Sequence, residues 1–237
     1  EYGSDYYTDP QSVYAINGLS GNTMWTYTLN DGVRSMDICD LNNDGVMDVV
    51  AGASYGSPGP DGRVHAIDGT DGSYIWRFTP GGTGDTIGDI AFGDFNGDIY
   101  PDVAIACWDD YVYAINGQTG TQLWRTYIGS IFVTAVDTGD VNGDGRDDIS
   151  FGNSYLPGYS NLQGVLDGTD GSSIWTQTVP YTVENTIMSD IDNDGALEAI
   201  YGVHTSTDMA EFHVRNASTG ALEWSYTLGP DTGLNPD

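Results

Sequence analysis

"DVNGDGRDD", from Asp140 to Asp148, sets four carboxylates and an amide into nine residues of a chain that contains no lysine. Like charges packed this closely repel, and a folded chain avoids the arrangement unless something positive sits among them. The frame is not isolated. "DLNNDGVMD" begins at Asp40, "DFNGDIYPD" at Asp94 and "DIDNDGALE" at Asp190, at intervals of 54, 46 and 50 residues along the series. A second motif interleaves with it. "AINGLSGNTMW" ends at Trp25, "AIDGTDGSYIW" at Trp76, "AINGQTGTQLW" at Trp124, "VLDGTDGSSIW" at Trp175 and "VRNASTGALEW" at Trp224, at intervals of 51, 48, 51 and 49. Both series share one period, and such a repeat decides the fold before any single element does.

One period reads as four short antiparallel strands. In the third, "FVTAVDTGD" leads into the acidic loop, followed by "DISFGNS", "GVLDG", a "TDG" turn and "SSIWTQTV". Strands of this length joined by Gly/Asp/Asn turns follow hairpin chemistry. Four-stranded units repeated at this spacing predict an all-β fold, a β-propeller, within a single domain spanning 1–237. The complete blades fall at about 34–79, 87–128, 132–179 and 184–229, and residues 1–30 form a half-blade without a loop-bearing inner strand. The pattern leaves three ways to complete that half: five-bladed closure by both termini, membership of a larger wheel, or a strand from another subunit.

Thirty-five acidic residues stand against six arginines, for a formal charge of −29. That balance argues against nucleic acid and anionic membrane surfaces as partners and favours cations. No apolar run approaches the ~18 residues of a membrane helix, so membrane insertion is not expected. Cys39 stands at the loop end of its strand and Cys107 five residues beyond Asp102, so a disulfide between them is not expected.

The acidic frame is a ligand pattern. Positions 1, 3, 5 and 9 bear oxygen, position 7 offers a main-chain carbonyl, and a glycine at position 6 allows a sharp turn. An oxygen-only, flexible cage suits Ca²⁺, which takes 6–8 such ligands. The four expected sets are Asp40, Asn42, Asp44, Val46 and Asp48; Asp94, Asn96, Asp98, Tyr100 and Asp102; Asp140, Asn142, Asp144, Arg146 and Asp148; and Asp190, Asp192, Asp194, Ala196 and Glu198. The second carries Ile99 where the others have glycine, and a β-branched residue resists positive φ. That loop therefore bends differently or binds more weakly. In the tryptophan motif, Asn116 caps the turn, Gly117 and Gly120 permit it, and Trp124 is expected as mortar between blades, with carbohydrate stacking as the alternative.

Over nearly the whole chain, the acidic frames resemble the calcium loops of FG-GAP (integrin-α-type, VCBS-like) propeller repeats. The "AINGxTGxxxW" segments resemble the tryptophan-docking motif of quinoprotein (PQQ-like) propellers. The combination also resembles the propeller of calcium-dependent rhamnogalacturonan lyases. The resemblance implies about four calcium ions shaping loops on one face, and no reaction. An anionic quinone would call for central arginines, whereas the six arginines here are scattered. His65, His204 and His213 occupy unrelated positions of the repeat, and no nucleophile elbow is present. The expected role is that of an extracellular or cell-surface module for structure, adhesion or binding, without catalytic residues. Its partners would be surface or matrix proteins or glycans, and copies could assemble head to tail through the incomplete blade. A polysaccharide lyase is the enzymatic alternative. Irregular segments at 54–62, 153–161 and 202–211 would carry partner contacts.

Overall fold

A computed structural model describes residues 11–29, 32–54, 63–81, 86–129, 132–154, 161–204 and 210–228. Most of the three irregular segments lies outside the described residues. Among the described residues there are eighteen strands and no helix. β1 (Gln11–Ile16) and β2 (Thr23–Leu29) form a two-stranded hairpin. β3 (Gly32–Cys39), β4 (Asp48–Ser54), β5 (Val64–Ile67) and β6 (Tyr74–Phe78) make the first complete sheet. The second is β7 (Ile87–Gly93), β8 (Asp102–Cys107), β9 (Tyr111–Ile115) and β10 (Gln122–Tyr127). The third is β11 (Phe132–Gly139), β12 (Asp148–Ser154), β13 (Asn161–Leu166) and β14 (Ser173–Val179). The fourth is β15 (Thr182–Ser189), β16 (Glu198–His204), β17 (Ala210–Asn216) and β18 (Leu222–Leu228). Each sheet is an antiparallel meander in chain order, a four-stranded propeller blade.

The core lies between sheets rather than within one. Val13, Trp25 and Leu29 of the half-blade pack on Val49, Ala51 and Ile67 of the first blade. Similar apolar seams join the first blade to the second, the second to the third and the third to the fourth. The second strand of each of the first three complete blades is covered on both faces. β8 ("DVAIAC") is buried at every residue, and its small side chains let neighbouring sheets approach.

Each seam is closed by the tryptophan of one blade. The indole N–H groups of Trp25, Trp76, Trp124 and Trp175 donate to the carbonyls of Gly69, Gly117, Gly168 and Ala217, at 2.8, 2.5, 2.6 and 2.7 Å. Each acceptor lies in the turn between the third and fourth strands of the following blade. The ring also rests on a glycine of that turn. At Gly72, Gly120, Gly171 and Gly220 the φ angles are 70–78°, and an added Cβ would fall within 2.5–2.8 Å of the neighbouring blade's side chains, the indole among them. Only glycine meets both demands. The innermost strands add a second tie. Every one carries a one-residue bulge, at Val33/Ser35, Ile87/Asp89, Val133/Ala135 and Val183/Asn185. Beside it, Ser35 Oγ donates to the Ile87 carbonyl and Thr134 Oγ1 to the Val183 carbonyl of the next blade. Cys39 and Cys107 are not bonded to each other.

Two predictions rest on these seams. Trp124→Ala opens a packed seam and should cost ~3–5 kcal/mol of unfolding free energy, whereas Trp224→Ala, at a side chain 49% exposed, should cost under ~1 kcal/mol. Equal losses in denaturant titrations would overturn the seam assignment. The second concerns His65, whose Nδ1 pairs with the Tyr27 hydroxyl at 3.0 Å across the first seam. Burial, followed by Arg77 and Arg63, lowers its pKa to about 4. Below pH ~6.5 the unfolded chain gains a proton that the folded chain refuses, so stability falls as pH drops toward 4, by at most ~1.4 kcal/mol per unit. His65→Gln should flatten that fall, as read from unfolding curves of both proteins between pH 6.5 and 4; parallel profiles would contradict it.

Candidate functional site

The acidic frames form the links between first and second strands, 40–47, 94–101, 140–147 and 190–197, at the same end of every blade. Their carboxylates cap backbone amides. In the first loop Asp40 accepts from Asp44 and Gly45 N–H at 3.1 and 2.9 Å, Asn42 Oδ1 from Asp44 at 2.8 Å, and Asp44 Oδ1 from Val46 at 2.7 Å. The fourth loop repeats the pattern through Asp190, Asp192, Asp194 and Ala196. In the third, Gly143 takes the amide role at Asp140, and Asn142, Asp144 and Arg146 follow the frame. This hydrogen bonding lets so many acids share one turn.

Two positions of positive φ bend these three loops: Asn43 and Gly45 at 58° and 87°, Gly143 and Gly145 at 79° and 85°, Asn193 and Gly195 at 62° and 93°. The sixth position was legible from its glycine. The fourth was not singled out, although Asn and Gly alternate there, the residues that tolerate a left-handed backbone. The second loop has only Gly97, at 76°, in this region, so its turn differs at Ile99.

The ninth position does more than face the loop. Asp48, Asp102 and Asp148 are fully buried. One oxygen of each accepts from the loop's second residue, Leu41, Phe95 or Val141, at 3.0–3.1 Å. The other accepts from Gly69, Gly117 or Gly168 at 3.0–3.1 Å, the same turn residue whose carbonyl receives the preceding indole. Desolvation lifts the pKa of Asp102 and Asp148 to about 6 and raises that of Asp48. Spacing alone did not reveal this stapling role. In the second and third loops that turn-facing oxygen also accepts from Asn96 or Asn142 Nδ2, at 3.1 and 3.3 Å, so it is the oxygen facing the loop's second residue that keeps a lone pair for an ion. Glu198 departs from the set. Its Oε2 takes the Ile191 amide at 2.9 Å, its buried Oε1 has no partner, and the Ala217 amide turns to the Leu197 carbonyl instead. In this loop Asp190, Asp192 and Asp194 bring carboxylate oxygens within 4.8 Å of one another. That span suits ligands on opposite sides of an ion bound at ~2.4 Å, as Ca²⁺ is.

Adjacent loops touch. Asn43 Nδ2 donates to the Ile99 carbonyl at 2.9 Å, and a cleft of about 360 Å³ between the first and second loops is lined by Cys39, Asn43, Phe92, Asp98 and Tyr100. Arg146 and Asp147 of the third loop reach Asp94 of the second. Away from the rim, Asp109 accepts a short hydrogen bond from Tyr113, raising the phenol's pKa together with burial, the larger cause, and Gly81 N–H caps the same oxygen. His65 pairs with Tyr27 and His213 with Glu211, in different sheets. His65 and His213 thus share no site.

Among solved structures, the chain resembles Sqt1 of Saccharomyces cerevisiae at a TM-score of 0.69 and 12% identity, over 90% of this chain and 55% of that one. A europium-containing methanol dehydrogenase gives 0.64 at 12% identity, over 90% and 47%. The quinohemoprotein alcohol dehydrogenase of Comamonas testosteroni gives 0.57 at 16%, over 84% and 35%. The chain therefore spans about half or less of the length of these structures, and at such identities the likeness is one of fold. A search of curated proteins finds no match. A model of the PQQ-like repeat family described as outer membrane protein assembly factor BamB matches residues 9–197, where four of the five tryptophan motifs lie. The chain belongs to that family of β-propeller repeats.

Proposed function

We propose that this chain is a calcium-binding β-propeller module of the cell surface or extracellular space, serving as a structural, adhesion or ligand-binding platform. The observation that carries the reading is the recurrence of one acidic turn at the same end of all four complete blades, with three carboxylates of the fourth converging. In the first, third and fourth loops the side chains at positions 1, 3, 5 and 9 would hold the ion, together with the carbonyls of Val46, Arg146 and Ala196. A bound divalent ion would offset the mutual repulsion of the carboxylates and lock each inner hairpin. With loops fixed, the rim and the cleft between the first two loops offer a rigid surface to surface or matrix proteins or to glycans. No group at this rim is assigned a catalytic role.

Calcium should therefore stabilise the fold. Ion binding at a hundredfold excess over Kd adds ~2.7 kcal/mol per site. Melting in millimolar Ca²⁺ should lie well above melting in EDTA. Superimposable curves, with no calcium retained after desalting, would remove the reading.

A second proposal concerns the ends of the tryptophan ladder. Trp224 repeats the docking motif, yet it is 49% exposed, and no acceptor for its indole is found among the described residues. At the other end, the half-blade turn has the matching residues Gly18 and Gly21, the latter at φ 70°, and an added Cβ at either would meet nothing within 4 Å. Donor and acceptor halves of the seam thus stand at opposite ends of the described chain, which supports head-to-tail association of copies. Sedimentation should show concentration-dependent association that Trp224→Ala abolishes without lowering the melting temperature. Association unaffected by that substitution would refute it.

A further inference from the structure

The second acidic loop meets a cation already present in the chain. Among the described residues there are two ion pairs, Arg146–Asp94 and His213–Glu211, so Asp94 is the acidic-loop carboxylate with a cationic partner. Arg146 Nη1 lies 3.3 Å from Asp94 Oδ2. The guanidinium also lies directly on Gly97, where an added Cβ would come within 1.4 Å of Nη1. The absence of a side chain at the fourth position admits it into the turn. Two backbone contacts fix the approach: the Asp94 amide donates to Asp147 Oδ2, and the Asp147 amide to the Asp94 carbonyl, both at 2.9 Å.

Arg146 is the seventh residue of the third loop, so its main chain serves one loop while its side chain serves the next. A guanidinium is permanently charged and carries five donors in a plane, which lets it answer carboxylates that an ion would otherwise bridge. A divalent cation placed in the same turn would face that charge at a few ångströms, a repulsive arrangement. The backbone agrees with this exclusion, since Ile99 does not take the left-handed conformation that Gly45, Gly145 and Gly195 adopt at the sixth position. An exposed ion pair of this kind adds little stability. Its effect is on occupancy.

Building on the calcium reading, we infer that the Arg146 guanidinium takes the ion's place in the second loop, so that the chain holds three calcium ions, in the first, third and fourth loops. The test is the number of ions bound per chain, counted by native mass spectrometry and calorimetric titration. The parent should bind three. Asp94→Asn, which removes a second-loop ligand, should also bind three. Arg146→Gln combined with Ile99→Gly, which removes the resident charge and restores the turn, should bind four. A parent count of four, a count that falls in Asp94→Asn, or a double variant that stays at three would each overturn the inference while leaving calcium binding intact. No calcium in any of the three proteins would sink the calcium reading itself.

Discussion

An indole N–H donated across a sheet-to-sheet gap to a turn carbonyl is the contact on which the architecture rests. Tryptophan buries a large apolar surface while needing a single acceptor. The acceptor carbonyl belongs to Gly69, Gly117, Gly168 or Ala217, and the first three of these residues also donate their amide to a buried aspartate of their own blade. One turn residue therefore joins the preceding blade to the acidic loop of its own. The packing seam and the acidic rim are mechanically the same structure, and what tightens one positions the other.

That linkage explains how a chain with 35 acidic residues and six arginines keeps its acids clustered. The carboxylates stabilise turns by capping backbone amides that would otherwise be left unpaired, and the buried ninth position is held by two such amides. The cost is electrostatic and appears where burial is greatest, in the raised pKa values of Asp102 and Asp148. The carboxylates of three of the four loops make no ion pair among the described residues, whereas Asp94 of the second borrows Arg146 from the third.

The all-β, blade-based fold was legible because two motifs recur in phase, and phase is information that a single hairpin lacks. The structural role of Trp124 was legible too, since a large aromatic at one place in every repeat must meet the same surroundings in every repeat. Three features were hidden for physical reasons. The left-handed fourth position is filled by either Asn or Gly, and a mixed position does not announce a backbone constraint. The stapling of Asp48, Asp102 and Asp148 joins residues 15 to 21 apart in sequence, a pairing that spacing within the frame cannot report. The Arg146–Asp94 pair spans two repeats, and only the packing of neighbouring loops brings it together. Of the resemblances drawn from the motifs, the PQQ-like one is the one matched by a family model.

The bulged inner strand recurs in each complete blade, and at each seam the docking turn receives the indole of the preceding unit. A gene encoding such a chain can gain or lose one whole unit by unequal recombination and keep the indole docking contact, because every new junction reproduces it. Side-chain contacts between neighbouring loops do not repeat: Asn43 reaches Ile99 between the first and second blades, and a charged set joins the second and third. There the loops carry matched, unrepeated side chains, Arg146 and Asp147 against Asp94. A duplication cut between them would separate a pair that no other junction supplies, so those two blades are expected to be inherited together while the others vary in number.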